Sequence, residues 1–277
     1  MTIREPVAHP FLKSVGGKTA LLPKILPHLP EKIRTYYEPF LGGGAVFFAL
    51  AAEKRFEQAV LGEANEEFAH AYAALARDVE GVIQVLKKHV YEEKYYYAVR
   101  AQDPLKLATS ARAARLIYLN RTCFNGLYRV NKKGVFNSPF GRYTNPTICD
   151  EESLRAVAAV LRETPVSSAD FAKTVETARR GDVVYFDPPY VPLSATSSFT
   201  AYTAGGFGLA DQERLRNVAK KLAARGVHVL LSNSDTPLVR KLYTGFQIEE
   251  VQRSGRVSSV GGKRGNVGEL LILRGTS

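Results

Sequence analysis

The run Val183-Val184-Tyr185-Phe186 is stopped by Asp187-Pro188-Pro189-Tyr190, and no other stretch of this 277-residue chain limits the fold as tightly. Four apolar residues without alternation mark a strand covered on both faces. Two consecutive prolines cannot continue its ladder, because each lacks a backbone N–H and fixes φ. An acid, rigid carbonyls and a flat ring are therefore left at the carboxyl edge of a sheet, where open α/β folds bind ligands.

That equipment suits alkylation of a planar amine. The exocyclic amino group of adenine or cytosine is a poor nucleophile, because its lone pair is delocalised into the ring. If Asp187 accepts one N–H and the Pro188 carbonyl the other, a pyramidal nitrogen is favoured whose lone pair leaves the ring plane. Pro188 and Pro189 make the turn rigid, and Tyr190 stacks on the base and holds its face toward a methyl donor. A lone Asp-Pro-Pro is ordinary turn punctuation, so the reading gains its weight from Tyr190 and from a second site.

Tyr36-Tyr37-Glu38-Pro39-Phe40-Leu41-Gly42-Gly43-Gly44, followed by an apolar stretch through Leu50, reads as strand, glycine turn and helix. Glycines let a backbone approach a ligand where a Cβ would clash. Twenty residues past Gly43, Ala59-Val60-Leu61-Gly62-Glu63 reads as a second strand ending in an acid, where a ribose diol is usually held. The pair resembles half of a Rossmann fold. A dinucleotide fingerprint beginning at Gly42 requires glycine at position 47, and Phe47 stands there, which argues against a nicotinamide dehydrogenase. A nucleoside carrying an amino acid, such as S-adenosylmethionine, makes no such demand. Lys18, beyond Gly16-Gly17, is placed to meet the donor's carboxylate. Asp170-Phe171 could bond and stack an adenine edge; a helix N-cap at Asp170 with Phe171 in the core reads equally well.

In order, Lys13-Ser14-Val15-Gly16-Gly17-Lys18, Glu38-Pro39-Phe40-Leu41-Gly42-Gly43-Gly44, Glu63-Ala64-Asn65, the stretch Asn120-Arg121-Thr122-Cys123-Phe124-Asn125-Gly126-Leu127-Tyr128-Arg129, Pro139-Phe140-Gly141-Arg142-Tyr143 and Asp187-Pro188-Pro189-Tyr190 resemble a Dam-type DNA adenine N6-methyltransferase of the D12 class, in its alpha motif order. Residues 192–196, 199–202, 231–233 and 268–271 agree as well, so the resemblance covers nearly the whole chain. It implies that Ser14, Lys18, Glu63 and Asp187 contact S-adenosylmethionine, with Asp187 shared with the target adenine. Glu38, Pro39, Phe40, Gly42, Gly44, Asp170 and Phe171 complete the expected donor pocket. The family commonly has tryptophan where Ser14 stands, aspartate at Glu63 and tyrosine at Phe124. Glu63 keeps a carboxylate on a longer arm, Ser14 loses an aromatic surface, and Phe124 keeps its stacking face.

Charge points to a nucleic-acid substrate independently. The formal net charge is +11, and residues 87–142 hold twelve Lys and Arg against three Asp and Glu. A basic field of this kind attracts phosphate backbones by counterion release. Within it, residues 112–120 read as an amphipathic helix followed by a polar, aromatic loop to Tyr143. The resemblance implies that Arg129 reads a guanine with its bidentate fork, that Leu127 and Pro139 pack on neighbouring bases, and that Lys13 contacts the outer base pair and Arg142 the backbone. Phe124 and Asn125 would fill the gap left by an extruded adenine, the ring by stacking and the amide by bonding the orphaned thymine. Extrusion is required because a paired amine inside a duplex is inaccessible. The expected target is GATC.

The fold expected is α/β: a Rossmann-like methyltransferase domain made of residues 1–65 and 145–277, with a mainly helical target-recognition domain inserted at 66–144. Residues 152–162 and 211–225 read as helices, 228–232 as a buried strand, 247–251 and 269–273 as a terminal hairpin, and 253–265 as a basic loop meeting phosphates. Neither a signal peptide nor a membrane span is visible, which points to the cytoplasm. Cys123, Cys149 and five scattered histidines make no metal or redox motif, and direct transfer from a sulfonium donor needs no metal. Three rivals remain open: a cytosine N4-methyltransferase, a protein or RNA amine methyltransferase, and a sequence-specific DNA-binding protein without catalysis. The sequence also leaves open whether the enzyme acts alone or protects DNA from a cognate restriction endonuclease.

Overall fold

The computed structural model describes residues 6–14, 16–131, 133–190, 206–252 and 268–274; Val15, Lys132 and the expected segments 192–196, 199–202 and 253–265 lie outside the described residues. The apolar runs form the strands β1 (Ile33–Glu38), β2 (Phe56–Gly62), β3 (Val166–Ser167), β4 (Val183–Phe186), β5 (His228–Ser234), β6 (Gln247–Val251) and β7 (Glu269–Arg274). They make a seven-stranded sheet of order β3-β2-β1-β4-β5-β7-β6. Pairings from β3 through β5 are parallel, with Glu38 opposite Leu61, Tyr36 opposite Val183 and Val183 opposite His228. The expected terminal hairpin forms, with Gln247 opposite Leu273, but β7 is wedged between β5 and β6 and runs antiparallel to both.

Alternation along these strands divides the sheet between two cores. Tyr36, Val183, Tyr185 and Leu230 face one cluster, and Tyr37, Val184, Phe186, Val229 and Leu231 face the other. The first core is completed by α1 (Leu22–Ile25), α2 (Ala45–Ala52), α3 (Glu66–Leu86), α4 (Glu93–Ala101), α5 (Thr109–Thr122) and α6 (Glu151–Glu163). The second is covered by α7 (Phe171–Thr174), α8 (Leu209–Ala224) and α9 (Pro237–Leu242). With both faces covered, strands read as continuous apolar runs rather than alternating ones.

Local sequence explains the element ends. Asn65 caps α3 by accepting from the N–H groups of Glu67 and Phe68. Gly226, with φ +79, follows the end of α8 and turns the chain back into β5. α5 is longer than the amphipathic helix expected, and it is not amphipathic: every residue from Ala113 to Asn120 is buried. It is flanked by α3 and α4, so it has no broad solvent face to alternate toward.

Phe68, Ala71, Tyr72 and Leu75 of α3 share one core with Leu61 of β2 and Leu154 and Val157 of α6. The first helix of the expected insertion is thus continuous with the packing of the sheet. Among the described residues no helix is long and apolar enough to cross a membrane, no group of three or more His, Cys, Asp or Glu is arranged for a metal, and both cysteines are free.

Candidate active site

From β1 the chain crosses to β2 on one side of the sheet, whereas β4 continues to β5 on the other. The carboxyl ends of β1 and β4 therefore flank a topological switch point, where a crevice opens between diverging connections. Glu38-Pro39-Phe40 leaves β1 there and Asp187-Pro188-Pro189-Tyr190 leaves β4 there.

Lys18, 4 % exposed, brings its Nζ to 2.8 Å from Oδ1 of Asp187. The same ammonium donates to the Gly16 carbonyl at 2.6 Å and stands 4.9 Å from the centroid of the Tyr190 ring. Tyr190 donates its hydroxyl to Oε2 of Glu269 on β7 at 2.8 Å. Burial, reinforced by the negative charges of Asp187 and Glu269, pushes that phenol's pKa well up. The Pro189 carbonyl accepts from Nε2 of the buried Gln212 at 2.9 Å, and Gln212 accepts in turn from Asn233 at 3.2 Å. The proline turn is thus held from behind by α8 and β5. Below it, Glu38 is buried and accepts from the Tyr36 hydroxyl at 2.7 Å.

Glu63 bridges the glycine turn to the start of α3. One carboxylate oxygen accepts from Gly42 N at 2.8 Å and the other from Asn65 N at 2.7 Å, while Tyr72 donates to the Gly42 carbonyl at 2.8 Å. Gly42 and Gly44 have φ of +51 and +71, the left-handed region that favours glycine. Gly43 is small for a different reason: a Cβ there would lie 3.0 Å from the Leu12 carbonyl and 3.3 Å from Ser14 Oγ. Ser14 therefore packs on the glycine turn.

Asp170 and Phe171 adopt the plainer of their two readings. Asp170 caps α7 through Ala172 N at 3.0 Å, and both its oxygens are bonded by Arg214. Those hydrogen bonds lower its pKa. Phe171 is buried and stacks on Phe40, with ring centroids 5.3 Å apart. Pro39 lies against Gly62, where a Cβ would come 3.1 Å from the proline backbone. Phe40 and Phe171 are thus neighbours at the end of β1, and the Asp170 carboxylate is turned to Arg214.

The other candidate residues lie on the segment after α5. Phe124 is 50 % exposed, so it is no core residue, and its N–H bonds the Pro139 carbonyl at 2.9 Å. Asn125 has φ +55, uncommon outside glycine, and is exposed. Leu127 is half-buried, and Pro139, Arg129 and Arg142 are exposed. Arg129 projects from a hairpin closed by the Val130–Phe136 bridge and donates Nε to Asn137 Oδ1 at 3.0 Å. Lys13 joins this group, its ammonium 4.5 Å from the Tyr143 ring centroid. The basic field itself is thinner than the sequence count suggests. Arg112 pairs with Glu67, Lys87 with Glu151, and the buried Arg115 donates to the carbonyls of Val99 and Arg100.

Gln212 escapes a reading by motif, and Asn120, Asn233 and Glu269 lie in stretches that carry the resemblance but receive no role from it, because each supports the site from an element remote in sequence. Only the run of polar residues inside apolar strands and helices, such as Ser232-Asn233-Ser234 in β5, hints at them; buried polar groups need partners.

Residues 14–255 match the D12 class N6 adenine-specific DNA methyltransferase family. The chain is 43 % identical to a Type II methyltransferase of Lactococcus lactis subsp. cremoris over 95 % of this chain and 94 % of the relative. It is 41 % identical to a Type II methyltransferase of Methanocaldococcus jannaschii over 95 % and 98 %, and 38 % identical to a DNA adenine methylase of Vibrio cholerae over 95 % of each. Lys13 and Glu269 fall outside the matched span. With the match running through the glycine turn, the segment after α5 and the proline turn, the chain belongs to the D12 class N6 adenine-specific DNA methyltransferases.

Proposed function

We propose that this enzyme transfers a methyl group from S-adenosylmethionine to N6 of an adenine extruded from duplex DNA, within GATC. The observation that carries the reading is the Asp187 turn at the switch point, with an acid, a rigid turn and Tyr190 assembled beside the Lys18 ammonium. The surrounding residues suit the donor. Lys18 offers a cation to an amino-acid carboxylate, Glu63 stands at the glycine turn with the carboxylate that a ribose diol requires, and Phe40 with Phe171 gives an apolar wall to a purine. Glu38 and Pro39 shape the floor, and Ser14, Gly42 and Gly44 the rim. Bound there, the donor supplies an electrophilic methyl carbon.

The chain's own part is positioning. Asp187 and the Pro188 carbonyl each accept a hydrogen bond from one amine N–H, the nitrogen lone pair bonds the methyl carbon as the C–S bond breaks, and one amine proton is then released; Pro189 keeps the turn rigid, and Tyr190, anchored by Glu269, stacks on the adenine. Lys18 must release Asp187 for this to happen, and a donor carboxylate competing for the ammonium supports that exchange. Residues 66–144 act as the recognition region, with α3 as its root in the catalytic core. Arg129 reads a guanine, Lys13, Leu127 and Pro139 contact neighbouring pairs, Arg142 meets a phosphate, and Phe124 with Asn125 occupies the vacated stack. The relatives named DNA adenine methylase support adenine over cytosine.

Labelled S-adenosylmethionine offered with GATC duplex, a scrambled duplex and doubly methylated GATC, followed by nucleoside analysis, tests the reading. N6-methyladenine formed in unmodified GATC alone is expected. Equal rates on the scrambled site would end the GATC assignment, and N4-methylcytosine would end the choice of base.

A further inference from the structure

Asn120 is fully buried near the carboxyl end of α5, among apolar neighbours. A buried amide has to be bonded, and this one is satisfied mainly by one residue 107 positions away. Lys13 N donates to its Oδ1 at 2.7 Å, and its Nδ2 donates back to the Lys13 carbonyl at 2.8 Å. A longer contact of 3.4 Å runs from Nδ2 to the Gly126 carbonyl. The side chain thus clamps both faces of a single backbone unit and touches the turn that follows α5.

Lys13 is enclosed from the recognition side. A Cβ on Gly126, at φ +63, would stand 2.7 Å from Lys13 Cβ, and the Tyr143 ring over which the Lys13 ammonium lies is tied by its hydroxyl to the Cys123 carbonyl. From Lys13 toward the catalytic turn the connection is equally short. The Ser14 carbonyl accepts from Gly17 N at 3.1 Å, the Gly16 carbonyl accepts from Lys18 Nζ, and Lys18 reaches Asp187. The Phe124–Gly126 turn is therefore linked to Lys18 by a short series of contacts through Asn120, Lys13 and the Ser14–Gly17 bond.

We infer that Asn120 is a positioning residue that couples occupation of the DNA surface to the affinity of the donor pocket. The inference rests on the proposed function, in which 124–126 meets DNA and Lys18 meets the donor. An energetic coupling must be reciprocal, so it is measurable from either ligand. No contact between Asn120 and either ligand is required.

The test measures the dissociation constant of S-adenosylhomocysteine with and without saturating GATC duplex, by calorimetry, in the wild type and in Asn120→Asp, Asn120→Ala and Gly126→Ala. Asn120→Asp keeps the acceptor for Lys13 N and loses the donor to the Lys13 carbonyl; Gly126→Ala disturbs the joint from its other side and serves if the Asn120 variants do not fold. In the wild type, duplex should tighten the analogue by about tenfold, within the usual span of such couplings. In folded variants the ratio should fall to within about twofold of unity. Variants that weaken both ligands but keep the wild-type ratio would show a merely structural role and overturn the inference. So would a wild-type ratio of one with both ligands bound. A wild type binding neither ligand would sink the proposed function, and the inference with it.

Discussion

At the scale of single residues, Glu38 is a carboxyl held in the interior beside the site, with the Tyr36 hydroxyl as a partner. Burial pushes its carboxyl up to about 8 from an ordinary 4.5; the Tyr36 hydroxyl opposes the shift and the Asp187 charge adds to it. The folded protein therefore holds this proton over a range where the unfolded chain releases it. Stability contributed by Glu38 declines as pH rises from about 4.5 to about 8. Glu38→Gln, which keeps the shape without the charge, should leave thermal stability nearly unchanged at pH 5 and raise it at pH 9, by an amount on the order of a few kcal/mol. Melting curves of both proteins across that range check it, and a constant difference would count against burial as the cause. Asp187→Ala should lower methyl transfer by at least about a hundredfold while duplex binding in a gel-shift assay stays within a few-fold of wild type. A parallel loss of binding would mean that the acid supports the fold rather than the amine.

Among elements, β7 and the hairpin after α5 carry the clearest consequences. Glu269 begins β7 and fixes Tyr190 by its hydroxyl, so Glu269→Ala should reduce kcat by about ten- to a hundredfold, the scale of a misplaced contact. Steady-state kinetics should show KM for the donor little altered; a loss confined to KM would contradict the assigned role. With its Nε held by Asn137, Arg129 keeps its two terminal amino groups for a base edge. Arg129→Ala should reduce discrimination at one base pair by roughly 1–3 kcal/mol and not at the others, as measured on duplexes varied one pair at a time. Strands β1, β2, β4 and β5 were legible because each is a local apolar run bounded by glycine, proline or an acid. The place of β7 was not, since no local pattern states that the last strand enters between two earlier ones. The solvent exposure of α5 was misread for the same reason: Arg112, Arg115 and Asn120 look polar in sequence, yet Glu67, backbone carbonyls and Lys13 satisfy them internally. The proline turn was legible because Asp187-Pro188-Pro189-Tyr190 is contiguous, whereas Gln212, Asn233 and Glu269 reach it only through folding.

For the whole molecule, net charge overstates the surface offered to DNA. Arg112 and Arg115 are absorbed by internal partners, while Arg142 stands exposed. Affinity for duplex should fall with salt, and Arg142→Ala should reduce the slope of log K against log salt by about one phosphate contact. Arg112→Ala should leave that slope unchanged and instead cost about 1–3 kcal/mol of stability, by stranding Glu67. Titrations at several salt concentrations, paired with denaturant unfolding, separate the two; a reduced slope for Arg112→Ala would place it on the DNA.

The interior position of β7 also bears on how the protein is made. Its residues are 79 positions or more beyond Tyr190, and until they are synthesised the strand between β5 and β6 is missing and Tyr190 lacks its anchor. A chain interrupted before Glu269–Arg274 therefore lacks both an interior strand and that anchor. Truncation ahead of β7 should thus cost more than the length removed suggests, because the deleted strand is an interior one and not an edge.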